Sequence, residues 1–395
     1  MTPIPRKPAT LAIHGNEIKK GSSAPVSPPI YHTSTYVFPD SDAVEGYMVR
    51  GERKHYIYQR YGNPAQDVLE KRMALLEGGE DSAFFASGMA AITTTVLSVL
   101  KKGDELITIP TLYGQTLNFF RGELQKYGIS VRFAPIEALY ELKTIASEKT
   151  KLLYFETPTN PNLQILDIDR ITKQAHDLGI TTIVDNTFAS PINQQPIVHG
   201  IDIVVHSATK YLGGHSDVLA GVIVGTREFI EKCRSRSQIY GPTIDPFNVF
   251  LLLRSLMTLD VRVQRQNENA LKLAEFLNVH SKVDAVHYPG LPDNPFYELA
   301  KKQMHGFGGM IAFEVYGGKA EAMKVVDNLE IMLNATSLGG VETLVSIPVI
   351  TSHVWLSTGE LKEAKVTPSM IRVSVGLEDP DDLMADFEQA LNKLP

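Results

Sequence analysis

The segment Ile201-Asp202-Ile203-Val204-Val205-His206-Ser207-Ala208-Thr209-Lys210 decides the fold. Its first five residues form an apolar run that reads as a buried strand. Ser207, Thr209 and Lys210 then emerge together at the end of that strand. An amine held there can form an imine with an aldehyde, and two nearby hydroxyls can bind a phosphate. Pyridoxal phosphate (PLP) carries both groups. A lysine that merely caps a strand is the competing reading, and S-x-T-K alone does not separate the two.

Outward from this segment the same pattern recurs. Residues 81–85, 105–109, 131–135, 151–155 and 181–184 read as short strands. Residues 67–76, 89–100 and 173–178 read as helices, the last closing on Gly179. The alternation predicts an α/β fold, a mostly parallel central sheet with helices on both faces. The pattern changes near residue 250. Phe250-Leu251-Leu252-Leu253 starts a long helix, and Ala270, Leu273, Ala274 and Leu277 form one helical face. Residues 309–315, 346–349 and 371–375 read as strands. A last helix opens with Asp379 as N-cap and Pro380 behind it, its core stripe being Leu383, Phe387 and Leu391. The expected division is an extended N-terminal arm at 1–60, rich in Pro, Ser and Thr, a large domain at 61–255 and a smaller C-terminal α+β domain at 256–395.

Composition narrows the function classes. The formal net charge of −7 argues against a nucleic-acid partner or a membrane-surface role. No apolar run is long enough to span a bilayer. Met1-Thr2-Pro3-Ile4-Pro5-Arg6-Lys7 lacks the apolar core of a signal peptide, so a cytoplasmic location is expected. The single cysteine, Cys233, excludes an intrachain disulfide and is expected to pack on a helix. His206 and His215 flank the lysine without completing a metal-ligand spacing, so hydrogen bonding is their expected role and no metal is expected. Gly306-Phe307-Gly308-Gly309 has no helix after it and does not read as a nucleotide loop. Lys232, Arg234 and Arg236 are expected to form a solvated face.

Five polar segments follow predicted strands: Ser87-Gly88-Met89, Tyr113, Glu156-Thr157-Pro158-Thr159-Asn160-Pro161, Asp185-Asn186-Thr187 and Ser207 to Lys210. In an open α/β sheet the ligand crevice lies at that carboxyl edge. Asp185 suits a pyridine nitrogen that must stay protonated. Gly88 and Met89 open a helix whose backbone N–H groups can hold an anion. Tyr113 can stack on a ring and serve as acid or base. Tyr58 and Arg60 lie in the arm, where arginine suits a phosphate dianion. Arg372 sits inside the apolar run 371–375, and a substrate α-carboxylate would satisfy its charge. An internal salt bridge would do so equally.

Taken in order, Tyr58-x-Arg60-x-Gly62-Asn63-Pro64, Ser87-Gly88-Met89, Glu156-Thr157-Pro158-x-Asn160-Pro161, Val184-Asp185-Asn186-Thr187, His206-Ser207-Ala208-Thr209-Lys210-Tyr211 and Ser337-Leu338-Gly339-Gly340 resemble the Cys/Met-metabolism (trans-sulfuration) PLP enzymes. That family includes cystathionine γ-synthase, cystathionine γ-lyase, methionine γ-lyase and O-acylhomoserine sulfhydrylases. The resemblance covers nearly the whole chain. It implies fold type I and a homotetramer built from two catalytic dimers. It implies that Lys210 is the Schiff-base lysine and Asp185 the pyridinium partner. Gly88, Met89, Ser207 and Thr209 would hold the phosphate, while Tyr58 and Arg60 would reach the phosphate of the neighbouring subunit. Tyr113 would stack on the ring and help the leaving group depart. Asn160, Ser337 and Arg372 would orient cofactor or substrate, Arg372 on the α-carboxylate.

Members that handle cystathionine resemble one another in two acidic residues, at the positions held here by Ile57 and Thr336. Their absence favours an uncharged substrate tail. Two departures fall in the expected substrate pocket. Gln115 follows Tyr113-Gly114 where methionine γ-lyases have cysteine, and Pro348-Val349-Ile350-Thr351-Ser352-His353 replaces a Pro-x-x-Met-Thr-His segment. The expected reaction is γ-elimination on methionine- or cystathionine-type substrates, with Lys210 moving protons and Tyr113 protonating the leaving thiolate. The alternative is γ-replacement on an O-acetyl- or O-succinylhomoserine. A PLP-binding regulator without catalysis finds no DNA-binding segment to support it, and the specific motifs argue against an aminotransferase.

Overall fold

The strand ending in Ser207 lies inside a seven-stranded sheet. In chain order its members are β1 (Asp81–Phe85), β2 (Glu105–Thr108), β3 (Ser130–Phe133), β4 (Thr150–Glu156), β5 (Thr181–Asp185), β6 (Ile203–Ser207) and β7 (Gly221–Gly225). Their spatial order is β1-β7-β6-β5-β4-β2-β3. β3, β2, β4, β5 and β6 pair in parallel. β7 pairs antiparallel with both β6 and β1. β1 therefore points the same way as β6, and every strand except β7 delivers its carboxyl end to one edge. The sheet is thus mixed rather than wholly parallel. The computed structural model describes residues 6–15, 25–52, 54–354 and 356–395, so the reading of Met1 to Pro5 lies outside the described residues.

Both faces of this sheet are apolar, as two-sided parallel sheets require. Leu106, Ile107, Leu152, Leu153, Val184, Val204 and Val205 are fully buried in one continuous core. The helix Pro64–Glu77 begins at Asn63, whose side chain accepts from the Gln66 N–H, and ends at Gly78 in the left-handed region. The helix Gly88–Val99 begins at Ser87, whose hydroxyl accepts from the Ala90 N–H. The N-terminal stretch read as an extended arm also carries two short helices, Pro8–His14 and Ser41–Met48. Among the described residues no helix is long and apolar enough to cross a membrane.

A second sheet holds the C-terminal strands β8 (Val283–His287), β9 (Met310–Val315), β10 (Leu333–Asn334), β11 (Leu344–Ser346) and β12 (Met370–Ser374), in the order β10-β11-β12-β9-β8. Its core is a separate apolar cluster containing Leu273, Leu277, Phe313, Ile371, Val373, Leu383 and Phe387. The last helix, Pro380–Leu391, is capped by Asp379 as its sequence demands. One strand expectation needs correction. The strand read at 346–349 ends at Ser346, because Pro348 lacks the N–H a ladder needs and instead opens a 3-10 turn, Pro348–Ile350.

On the helix Arg227–Tyr240, Lys232 is exposed as expected, but Arg234 and Arg236 do not join it in a solvated face. Arg234 pairs with Glu70 at 2.7 Å and Asp81 at 2.8 Å, and Arg236 donates to the Leu97 carbonyl. Partners far away in the chain draw Arg234 and Arg236 partly out of solvent. Cys233 on the same helix is buried, and burial pushes its thiol up to about 11, as packing rather than reactivity requires. His206 pairs with the buried Glu77 at 2.5 Å, and His215 meets the Gly213 carbonyl at 2.9 Å.

Candidate active site

Lys210 lies one turn beyond β6, its N–H donating to the Ser207 carbonyl at 3.2 Å. Its Nζ reaches across to the second sheet's side of the molecule and donates to Ser337 Oγ at 2.7 Å. Burial, and then the charge of Arg372, hold the amine below its ordinary range, at about 8. Such an amine is uncharged in a useful fraction near neutrality, as nucleophilic addition demands. Ser337 holds a left-handed φ of 88° without being glycine. Gly339, two residues on, packs so tightly on the lysine turn that an added Cβ would stand 2.6 Å from the Tyr211 nitrogen. The loop between β10 and β11 is thus shaped around Lys210.

Arg372, in the middle of β12, is buried. It donates from Nη1 to Asn160 Oδ1 at 3.1 Å and from Nη2 to the Ser337 carbonyl at 3.2 Å. Neither acceptor is a carboxylate. Burial lowers this guanidinium to about 10. Asn160 is itself buried on the loop after β4. Lys210, Ser337, Arg372 and Asn160 therefore form one hydrogen-bonded chain joining both sheets.

A second group forms around Asp185 at the end of β5. Asp185 Oδ1 accepts from the Thr187 N–H at 2.9 Å, and Tyr154 Oη lies 3.4 Å from Oδ2. Thr187 Oγ1 in turn accepts from the Ser207 N–H at 2.8 Å, joining Asp185 to the β6 edge. Ser207 touches the third group. An added Cβ on Gly88 would stand 2.9 Å from Ser207 Cβ, so only glycine lets the start of that helix approach β6. Met89 follows it, and the Thr116 hydroxyl lies 3.9 Å from its sulfur. Thr209 Oγ1 exchanges hydrogen bonds with the backbone of Ala220 at 3.2 and 3.1 Å. Tyr113, at the β2 edge, has an exposed ring while its N–H donates to Glu156 Oε1 at 2.8 Å.

Tyr58 and Arg60 have their hydrogen-bond and ring contacts elsewhere among the described residues. Arg60 donates to the Gln238 carbonyl, and its guanidinium lies over the rings of Tyr58 and Tyr61 at 5.5 and 5.2 Å. Sequence reasoning assigned no role to Thr187, Tyr154, Glu156 or His353. A carboxylate ending an apolar strand, as Asp185 does, was the available signal for Glu156. His353 is buried beside Arg372, and burial and that charge lower its imidazole to about 4.

A lysine of lowered basicity, a carboxylate at the strand edge and a glycine-lined helix start beside a serine together fit PLP, the Gly88 cradle being the feature another side chain would fill. This is the arrangement of a PLP-dependent enzyme of fold type I. The family described as Cys/Met metabolism PLP-dependent enzyme matches residues 9–392. An L-methionine gamma-lyase of Fusobacterium nucleatum subsp. nucleatum is 42% identical over 388 residues, 98% of each chain. A cystathionine gamma synthase of Xanthomonas oryzae pv. oryzae, solved with aminoacrylate and cysteine, is 35% identical with a TM-score of 0.91 and 98% of each chain covered. A putative O-acetylhomoserine (thiol)-lyase of Campylobacter jejuni subsp. jejuni, solved with N'-pyridoxyl-lysine-5'-monophosphate, is 32% identical with a TM-score of 0.92, covering 98% of this chain and 100% of that one. The chain belongs to the Cys/Met metabolism PLP-dependent enzymes, and its chemistry lies in sulfur amino acid metabolism.

Gly88 gives a direct test of the cradle. Gly88→Val is expected to cost roughly 1–3 kcal/mol of stability through overpacking against Ser207 and to weaken cofactor retention at least ~tenfold. Thermal unfolding and absorbance titration with PLP measure the two effects.

Proposed function

We propose that this enzyme catalyses γ-elimination on a sulfur amino acid with an uncharged tail, methionine being the type. The observation that carries this reading is the chain Lys210–Ser337–Arg372–Asn160, which sets a weakly basic amine beside a buried guanidinium that, among the described residues, has no carboxylate on it. Gly88, Met89, Ser207 and Thr209 would hold the cofactor's phosphate, Asp185 its ring nitrogen and Tyr113 its ring face, with Asn160 also in reach. When bound, PLP supplies an electron sink for the carbon next to the amino group.

The protein's own groups do the rest. Arg372 receives the substrate α-carboxylate, with Asn160 and Ser337 fixing its orientation. The Lys210 amine carries protons from the α- and β-carbons. The Tyr113 hydroxyl gives a proton to the departing γ-thiolate. The carbon–sulfur bond breaks, leaving a thiol, and one water then hydrolyses the remaining unsaturated amine, its oxygen becoming the keto oxygen of a 2-oxo acid as the nitrogen leaves as ammonia. Thr336 and Ile57 offer no charge to a distal amino group.

The reading includes a homotetramer of catalytic dimers in which Tyr58 and Arg60 reach the neighbouring subunit's phosphate. It includes the division at residues 60 and 255 and a cytoplasmic location. The exposure of Tyr58 and the bond of Arg60 to the Gln238 carbonyl, rather than to the Lys210 group, support the cross-subunit role. Incubation of the holoenzyme with methionine, homocysteine and cystathionine is expected to release 2-oxobutyrate, from methionine first. No 2-oxobutyrate from any of the three would overturn the reading. The departures at Gln115 and Ser352 call for a test of γ-replacement as well; Ser352 lies against the Tyr113 loop, where an added Cβ on Gly114 would stand 2.7 Å from its carbonyl. O-Acetyl- and O-succinylhomoserine, with and without cysteine or sulfide, separate the two outcomes.

A further inference from the structure

Glu156 is a buried acid with no part in the reaction just described. β4 and β5 are parallel, and Glu156 stands directly opposite Asp185 in the register. Their side chains therefore leave the same face of the sheet at the same edge. Asp185 is half-buried, and burial raises its carboxyl too, whereas Glu156 is 5% exposed. Two carboxyls so placed in a poorly solvated interior do not both ionise; one retains its proton.

The surrounding donors decide which. Asp185 accepts from the Thr187 N–H and faces the Tyr154 hydroxyl. Glu156 accepts from the Tyr113 N–H. The better-solvated and more richly bonded Asp185 takes the charge. Burial, then the charge of Asp185, push the Glu156 carboxyl well above the ordinary carboxylate range, in agreement with that assignment.

We propose that Glu156 is a positioning residue: uncharged, it ties the backbone of Tyr113 to the end of β4, beside the strand end that carries Asp185, so that Asp185 alone presents negative charge to the pocket. The proposal rests on the reading of Asp185 and Tyr113 as cofactor contacts. It makes the place of Tyr113 depend on a side chain that meets only its backbone.

Two measurements test it. The first uses apoprotein and needs no cofactor. A carboxyl whose folded pKa is raised keeps a proton that the unfolded chain gives up, so its contribution to stability falls as pH rises above the ordinary carboxyl range. A glutamine amide has no such proton to lose. The Tm difference between Glu156→Gln and the parent is therefore expected to move in favour of the variant from about pH 5 to about pH 8. Movement in the opposite sense would mean an ionised, paired Glu156 and would sink the proposal.

The second measurement is turnover of the holoenzyme. Glu156→Ala frees the Tyr113 loop and is expected to lower kcat by up to about 100-fold, with little change in KM. Glu156→Gln restores the neutral acceptor and is expected to recover at least ~tenfold of that loss. A glutamine variant as slow as the alanine variant would overturn the neutral-anchor role, as would an alanine variant equal to the parent. If the parent protein itself binds no PLP covalently, the reading of the whole site fails, and the apoprotein measurement still judges Glu156.

Discussion

Replacing Lys210 with alanine is expected to lower turnover on the order of 10⁴-fold, the upper end of what one positioned proton-transfer group contributes. It should also leave PLP held by non-covalent contacts alone. Borohydride reduction followed by peptide mapping checks this directly. Label on Lys210 in the parent protein and on no residue in the variant is the expected pair of results. Label on another lysine would refute the assignment. The capture of PLP by apoenzyme carries a second signature. Only the unprotonated amine adds to an aldehyde, so the rate should climb with pH and level off above about 8.

Arg372→Leu is expected to produce the next largest effect, a rise in KM of about 10²- to 10³-fold with a smaller change in kcat, from the loss of a buried charge partner for a carboxylate. Unlike most such losses, this one should not destabilise the free protein. Arg372 sits buried with an amide and a peptide carbonyl for company, so its desolvation is uncompensated until substrate arrives. The apoprotein Tm of the leucine variant is expected to equal or exceed that of the parent. Removing this neighbouring charge also relieves part of the depression of Lys210, moving the plateau of PLP capture to higher pH. An unchanged KM would end the carboxylate assignment. Arg372→Lys is not a mild substitute, because a single ammonium cannot reproduce the fork that reaches Asn160 and Ser337 together.

The carboxyl edge of the large sheet was legible because its strands are short apolar runs that end abruptly in polar residues. Asp185, Ser207 and Lys210 each follow such a run, and the structure places all three at one edge. β7 was not read from the sequence. Its Gly221-Val222-Ile223-Val224-Gly225 is apolar enough, but its direction depends on pairing with β1 and β6, which lie at other positions in the chain. Glu156 escaped for a related reason, since its meaning lies in the register between two strands. Arg234 was misread because a local window shows Lys232, Arg234 and Arg236 and not Glu70 or Asp81. What travels across the chain in strand register or through distant ion pairs leaves little mark on local periodicity.

The bond from Lys210 to Ser337 spans 127 residues of sequence and joins the two sheets at the point of chemistry. Anyone recombining this chain with a relative, exchanging the C-terminal portion to alter substrate choice, would cut across that seam. A chimera could fold with both cores intact and still be inert, because the crossover had separated an amine from the hydroxyl that aims it. Useful breakpoints are therefore those that inherit the lysine turn and the Ser337 loop from one parent.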